Sequence, residues 1–263
     1  MPFFMHEGVK LHYEVEGAGF PLILHTGGGG DGSMWRDGGY VAGLHGFQYI
    51  LFDHRGHGRS EKPRDPGGYG IEHFAGDVVA LLDELSIERA AYWGYSFGAD
   101  VGYVVATTAP ERIAALIIQG STAESDCDSP EEQQWRETFT RRVLSEGMGY
   151  LVQSFESEGQ AMSPWFRKHM LDTDVEAFAY PMQALDSWHG PHALLPAVRC
   201  PALMLNGELE DPTGAAPRSA SQMANARSVT FPGLDHITAY EHSELVLAEV
   251  IPFLNSLHLS AHA

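Results

Sequence analysis

Positive charge is scarce in this 263-residue chain, which has 16 lysines and arginines against 35 aspartates and glutamates and a formal net charge of −19. That charge repels phosphate backbones and anionic lipid surfaces, so neither nucleic acid nor a membrane is expected as a partner. Long apolar runs are also lacking, because no stretch approaches the roughly 20 residues that cross a bilayer. The first residues show no basic segment followed by an apolar one. The sequence therefore predicts a soluble, cytoplasmic protein.

Cysteine is nearly absent as well, since the chain contains just Cys127 and Cys200 and no Cys-x-x-Cys pair. This excludes a disulfide framework and a thiolate metal site, and it favours two reduced thiols. The 14 histidines include no His-Glu-x-x-His motif. Without such a motif, no metal and no cofactor are expected.

Short apolar runs recur along the chain, and their length suits central parallel strands that are covered on both faces. They are Pro21–Leu24, Tyr49–Phe52, Ala90–Trp93, Ala115–Ile118 and Ala202–Leu205, and the alternating segment Lys10–Glu16 is typical of an antiparallel strand. Helical patterns lie between them, the clearest being the apolar spacing from Ile71 to Leu85. The alternation predicts an α/β fold with a doubly wound, mostly parallel sheet flanked by helices.

The alternation stops between about residues 121 and 196, where the chain becomes polar and its patterns indicate helices without strands. We therefore divide the chain into a core of residues 1–120 and 197–263 and a helical lid of residues 121–196. The alternative is a helical bundle that thickens the fold without a role at the site. The lid offers aromatic pocket walls, of which Trp188 is the best substrate-binding candidate; the others are Trp135, Phe139, Trp165 and Phe178.

A serine stands between two glycines in Gly94-Tyr95-Ser96-Phe97-Gly98, directly after an apolar run. This is the pattern of a nucleophile elbow, a strained turn that lifts a serine hydroxyl above the edge of the sheet and needs small residues on either side. The apolar stretch from Ala99 to Thr108 predicts a helix whose N-terminus points at Ser96. The pattern identifies Ser96 as the candidate nucleophile.

A glycine run, Gly27 to Gly30, follows the predicted strand that ends near Leu24. A tetrahedral oxyanion needs preorganised N–H donors, and glycines let the backbone approach it closely. We assign the donors to the backbone N–H groups of Gly27 and Phe97, with Gly28 as the alternative to Gly27. A phosphate-binding loop is the less favoured interpretation, because the run lacks Gly-x-x-x-x-Gly-Lys.

Near the end of the chain, His236 follows a predicted strand and a turn, from which its imidazole could act as general base and acid. The acid that would orient it lies in the segment from Gly207 to Pro212, which gives the order serine, acid, histidine. Asp211 and Glu210 compete for this role. Asp211 is slightly preferred because aspartate is the commoner orienting acid and a proline follows it.

Together with these motifs, the charged glycine-rich segment Asp53–Ser60 makes the chain resemble proteins of the α/β-hydrolase fold over nearly its whole length. We interpret that segment as an internally hydrogen-bonded scaffold loop rather than a metal site. Thr26, which follows His25, departs from the family pattern, because these proteins usually have glycine after this histidine. The size and the lid are similar to the branch of small esterases, enol-lactone hydrolases, cofactor-free haloperoxidase-like enzymes and hydrolases of carbon–carbon bonds.

This resemblance implies a serine hydrolase that cleaves a carboxylic ester or lactone through an acyl-enzyme. Dehalogenases and epoxide hydrolases of the fold use aspartate at the elbow, so Ser96 disfavours those reactions. Two alternatives remain open: hydrolysis of the carbon–carbon bond of ring-fission diketones, and a small-molecule receptor of the same fold without turnover. A homo-oligomer is also left open.

Overall fold

An eight-stranded β-sheet organises the chain, and the computed structural model describes residues 2–123, 130–184, 188, 190–257 and 259. The strands are β1 (Phe3–His6), β2 (Val9–Gly17), β3 (Phe20–His25), β4 (Phe47–Asp53), β5 (Ala90–Tyr95), β6 (Ile113–Gln119), β7 (Ala202–Gly207) and β8 (Ala226–Phe231). Their order across the sheet is β1-β2-β4-β3-β5-β6-β7-β8. The pairs β1–β2 and β2–β4 are antiparallel, and the other five are parallel. The predicted α/β class with a mostly parallel sheet is confirmed.

Helices connect the strands and cover both faces of the sheet. Those before β7 are α1 (Met34–Asp37), α2 (Tyr40–Gly43), α3 (Ile71–Glu84), α4 (Phe97–Thr108), α5 (Pro130–Glu146), α6 (Met148–Ser157), α7 (Pro164–Asp172) and α8 (Val175–Ala184). After β7 come α9 (Ala215–Gln222), α10 (His236–Glu241) and α11 (Ser243–Ser256). Short 3-10 helices span Pro66–Tyr69, Pro110–Arg112 and His192–Ala197. No helix among the described residues is long and apolar enough to cross a membrane.

Alternating side chains of the central strands build two apolar cores, one on each face. Ile23 of β3 packs in the core that includes α3, α4 and α9, whereas its neighbours Leu22 and Leu24 pack in the core that includes α2 and α11. All three side chains are at most 1% exposed. Burial on both faces explains why the central strands have continuous apolar sequences rather than alternating ones.

Four described helices, α5 to α8, lie between the parallel neighbours β6 and β7. The helical stretch is divided at Gly147, which has a φ of 82° and separates α5 from α6. Ser163 starts α7 by accepting a hydrogen bond from the N–H of Phe166. Because β6 and β7 run parallel, the inserted chain leaves the sheet at the carboxyl edge, where β5 also ends. Cys127 lies outside the described residues.

Candidate active site

Ser96 occupies a strained turn between β5 and α4, with φ 53° and ψ −122°. Such a positive φ is costly for a residue with a side chain, and the surrounding backbone enforces it. A Cβ at Gly94 would lie 2.2 Å from the carbonyl oxygen of Gly98, and a Cβ at Gly98 would lie 2.5 Å from the carbonyl oxygens of His25 and Thr26. The two glycines that flank the serine are therefore required by close backbone packing.

Three side chains from different loops form a hydrogen-bonded line at the end of the sheet. His236 Nε2 lies 3.1 Å from Ser96 Oγ, and His236 Nδ1 lies 3.0 Å from Glu210 Oε1. A carboxylate can only accept, so Nδ1–H donates to Glu210 and Nε2 is left to accept the serine proton. Glu210 is itself held by the Nδ2 group of Asn206 at 3.3 Å and the N–H of Gly207 at 3.2 Å. The line has the geometry of a serine, histidine and acid triad.

Asp211, the acid preferred from the sequence, has a different set of contacts, and that preference is corrected. Its carboxylate accepts hydrogen bonds from the N–H groups of Ala215 at 2.7 Å and Ala216 at 2.9 Å, so it caps α9. The side chain is buried, and both of its oxygens are occupied by the helix N-terminus. Glu210, the alternative, is the acid that contacts His236.

His236, the candidate base, is held by its position at the start of a helix. His236 is the first residue of α10, and Asp235 caps that helix through a capping box with Thr238. The Tyr95 ring stacks on the imidazole with centroids 5.0 Å apart, and its hydroxyl donates to the carbonyl of His236. A Cβ at Gly120 would lie 2.9 Å from the imidazole Cε1, so a glycine is needed there.

Opposing effects act on the pKa of His236. Burial is the largest and lowers it, but the charge and hydrogen bond of Glu210, with the charges of Asp235 and Asp100, together raise the pKa above 6.5. A raised pKa means that these neighbouring charges stabilise the imidazolium form of His236.

The glycine loop after β3 lies directly against the serine. A Cβ at Gly27 would lie 2.8 Å from Ser96 Cβ, and a Cβ at Gly28 would lie 3.4 Å from the Phe178 ring. Phe97 is the first residue of α4, whose N-terminal N–H groups have no partner within the helix. Of the three donor candidates, Gly27 and Phe97 thus lie directly beside Ser96, and Gly28 lines the same cavity. Thr26, which differs from the family pattern, is fully buried.

The scaffold loop after β4 supports that glycine loop from behind. The Asp53 carboxylate accepts hydrogen bonds from the N–H groups of Gly32 at 2.8 Å and Arg59 at 2.9 Å. His57 Nε2 donates to the carbonyl of Gly28 across 2.6 Å. Burial lowers the pKa of His57, so the ring is held in its neutral form. Among the described residues, no cluster of three or more histidine, cysteine, aspartate or glutamate side chains could hold a metal ion.

Ser96 lies on the wall of two cavities. The first, called here the Phe178 cavity, has a volume of about 130 Å³. Its walls are the glycine loop and mostly apolar side chains, namely Gly27, Gly28, Gly29, Met34, Tyr95, Ser96, Phe155, Phe166, Met170, Phe178, His236 and Ile237. Four of these residues come from α6, α7 and α8, namely Phe155, Phe166, Met170 and Phe178. Three of the inserted helices thus contribute walls to a cavity that Ser96 also lines.

The second, called here the Asp100 cavity, has a volume of about 200 Å³ and more polar walls. They include Ser96, Asp100, Gly120, Ser121, Thr122, Arg136, Met182, Trp188, Gly190 and Pro191. Trp188 therefore lies in the second cavity rather than with Phe178. Trp135 is 52% exposed and stacks on Phe139, away from both.

Several lining residues have no signature in the sequence. The sequence pattern around Asp100 indicates an ordinary helix residue, and the pattern around Ser121 indicates the start of a loop. They meet because β5 and β6 are paired, which places the end of β6 beside the start of α4. Phe166 and Met170 could have been found from their four-residue spacing on one helix face.

Comparisons with known proteins agree with this architecture. A family model described as the alpha/beta hydrolase fold matches residues 21–147. A protein named as the carbamate hydrolase RutD, from Azorhizobium caulinodans, is 38% identical over 127 residues, or 48% of this chain and 46% of that protein. The chain thus spans about half the length of the carbamate hydrolases it matches.

Two solved structures match over almost the whole chain. The enol-lactonase from Burkholderia xenovorans LB400 has a TM-score of 0.83 and 28% identity, covering 97% of this chain and 100% of that one. An esterase from Thermogutta terrifontis has a TM-score of 0.82 and 26% identity, covering 98% of this chain and 97% of that one.

Proposed function

We propose that this chain, which belongs to the α/β-hydrolase superfamily, is a serine hydrolase that cleaves a carboxylic ester or lactone. The observation that carries the proposal is the line of hydrogen bonds from Ser96 through His236 to Glu210. The similarity to an enol-lactonase and an esterase over nearly the full chain supports the same bond type.

Catalysis begins with attack of Ser96 Oγ on the substrate carbonyl carbon. His236 Nε2 takes the hydroxyl proton, and the Glu210 carboxylate stabilises the resulting imidazolium. His236 then gives the proton to the leaving alcohol, or to the ring oxygen of a lactone. Water, deprotonated by the same imidazole, cleaves the acyl-enzyme and releases the acid.

The oxyanion of each tetrahedral intermediate is bound by the backbone N–H groups of Gly27 and Phe97. These donors are fixed before the reaction, because Gly27 packs against Ser96 and Phe97 opens a helix. Loss of one such donor costs about 3 kcal/mol of transition-state stabilisation. Gly28 acts indirectly, since its carbonyl is held by His57 and the loop geometry depends on that bond.

The helical segment between β6 and β7 acts as a lid that supplies the acyl pocket. A cavity of about 130 Å³ is equivalent to roughly four water molecules at about 30 Å³ each. We therefore expect a short apolar acyl chain to fit the Phe178 cavity, and longer chains to require displacement of lid side chains such as Phe155 and Phe166.

The test is release of p-nitrophenol from acetate, butyrate and octanoate esters by the wild type, Ser96→Ala and Ser221→Ala. Ser221 is an exposed serine on α9 and serves as the matched control. We expect turnover with a preference for butyrate over octanoate, and a loss of at least roughly 10⁴-fold in Ser96→Ala alone. Absence of turnover on esters and lactones, or full activity in Ser96→Ala, would contradict the proposal. Ring-fission diketones would then be the next substrates to test.

A further inference from the structure

The Asp100 cavity adjoins the nucleophile, and the steps proposed above leave open which part of the substrate it holds. We propose that it is a subsite for a neutral, hydroxyl-bearing portion of the substrate, and that Asp100 is the residue that recognises this portion. The inference rests on the proposed function, because it concerns the substrate of the same serine. It divides the site into an apolar side at Phe178 and a hydrogen-bonding side at Asp100.

One carboxylate oxygen of Asp100 is available to a ligand. Oδ1 accepts a hydrogen bond from Ser121 Oγ across 2.6 Å. Among the described residues, no donor bonds Oδ2. The side chain is partly buried and lines the same cavity as Ser96. A partly desolvated carboxylate gains more from an incoming donor than one in open water, because water does not already satisfy it.

The electrostatics of the cavity favour a neutral ligand over an ion. Burial is the main effect on Asp100 and raises its pKa to about 6, while the bond from Ser121 and the charges of His236 and Arg136 lower it. At neutral pH the group is therefore mostly a carboxylate. Arg136 lies on the wall of the same cavity, so the carboxylate and the guanidinium oppose one another in charge. A cationic ligand would be repelled by Arg136, and an anionic ligand would be repelled by Asp100.

The remaining walls suit a hydroxylated carbon skeleton. Ser121 and Thr122 bring hydroxyl groups that can both donate and accept, whereas Met182 and Trp188 bring apolar surface. Polar groups beside an aromatic face match a ligand that alternates O–H and C–H groups. The Phe178 cavity has no comparable set, since its side-chain walls are mostly aromatic or thioether groups.

The test compares substrates that differ only in hydroxyl groups. In the alcohol series, 1-butyrylglycerol is compared with propyl butyrate, which has the same carbon skeleton without the two hydroxyls. In the acyl series, ethyl 3-hydroxybutyrate is compared with ethyl butyrate. The ratio of kcat/KM within each pair is measured for the wild type, Asp100→Leu, Asp100→Asn and the control Asp83→Asn. Asp83 is an exposed aspartate on α3, and its substitution removes the same charge far from the cavity.

We expect the wild type and Asp83→Asn to prefer the hydroxylated member of one pair by about tenfold, the effect of one hydrogen bond to a charged group. The ratio should fall to near one in Asp100→Leu and fall in Asp100→Asn. Because each ratio is measured on one preparation, partial loss of folded protein cancels from it. A ratio near one in both wild-type pairs, or a preference that survives both substitutions, would overturn the proposal.

Binding to Ser96→Ala separates this inference from the proposed function. Affinity for 1-butyrylglycerol and for propyl butyrate is followed through the fluorescence of Trp188, with Ser96→Ala/Trp188→Phe as the control for the signal. Tighter binding of the hydroxylated ester, lost on adding Asp100→Leu, supports the subsite even if the wild type turns over no ester. Equal binding of both esters overturns the subsite even if ester turnover is found.

Discussion

Replacing Glu210 by glutamine tests the assignment of the acid most sharply. The substitution keeps the size of the side chain and removes the charge that lies 3.0 Å from His236 Nδ1. At an effective dielectric constant of about 20, two charges at this distance interact by about 5.5 kcal/mol. The His236 side chain is 29% exposed, so solvent screening reduces this figure. We therefore expect a loss of about 4 kcal/mol in the transition state, or roughly 10³-fold in kcat at about 1.36 kcal/mol per tenfold.

The neighbouring Asp211→Asn variant is the matched control, since it removes one carboxylate charge from the same turn. Asp211 caps α9 through the N–H groups of Ala215 and Ala216. Asparagine offers one acceptor oxygen in place of two, and loss of one of the two bonds costs about 1 kcal/mol of stability, which corresponds to a fall in Tm of about 2–4 °C in a protein of this size. Activity per folded molecule should largely remain.

Steady-state kinetics on p-nitrophenyl butyrate and thermal unfolding are measured for both variants. In mildly alkaline solution we expect a large loss of kcat with a near-normal Tm for Glu210→Gln, and a near-normal kcat with a lowered Tm for Asp211→Asn. A large loss of kcat in Asp211→Asn, together with high activity in Glu210→Gln, would refute the assignment made from the contacts.

Four further outcomes are expected, three at the candidate site and one at the exposed Gly149 of α6. Because the pKa of His236 is raised above 6.5, kcat/KM should rise with pH through an inflection above that value, and Glu210→Gln should move the inflection to lower pH. The stabilising effect of the raised pKa is fully present below 6.5 and is lost as pH rises through the folded-state value, so the Tm difference between wild type and Glu210→Gln should be largest in acid. Gly94→Ala should abolish folding or activity, since its Cβ would lie 2.2 Å from the Gly98 carbonyl oxygen. Gly149→Ala is the contrasting variant, because a Cβ at this position inside α6 has nothing within 4 Å. It should raise the free energy of unfolding by up to about 1 kcal/mol, measured by thermal unfolding. A Gly94→Ala protein with wild-type Tm and activity would contradict these expectations. So would a pH profile of kcat/KM whose inflection is the same in Glu210→Gln as in the wild type.

Patterns with a fixed spacing allowed much of the fold to be predicted. Central strands such as β3 are buried on both faces, so their apolar runs stand out from the surrounding sequence. The edge strand β1 was not predicted, because its four residues are too few for a recognisable apolar run. It is held as a strand by its antiparallel pairing with β2. The break at Gly147 was also missed, since the apolar residues continue on both sides of it.

Some residues of the candidate site were predictable from their neighbours in the sequence, whereas others depend on contacts between distant parts of the chain. The strained turn at Ser96 was predicted from its own flanking glycines, because the turn requires small residues at those positions. The choice between Glu210 and Asp211 depended on which carboxylate points to His236 and which to α9, and adjacent residues of one turn do not reveal this. The contact between Asp100 and Ser121 joins two strand ends, so it required the register of the sheet.

Covalent labelling of Ser96 tests the central claim most directly. The wild type, Ser96→Ala and Ser221→Ala are incubated with a fluorophosphonate, and intact masses and labelled peptides are measured. We expect one phosphonyl group per wild-type and Ser221→Ala molecule, located on Ser96, and none on Ser96→Ala. A label on another residue, or equal labelling of Ser96→Ala, would contradict the assignment of Ser96 as the nucleophile.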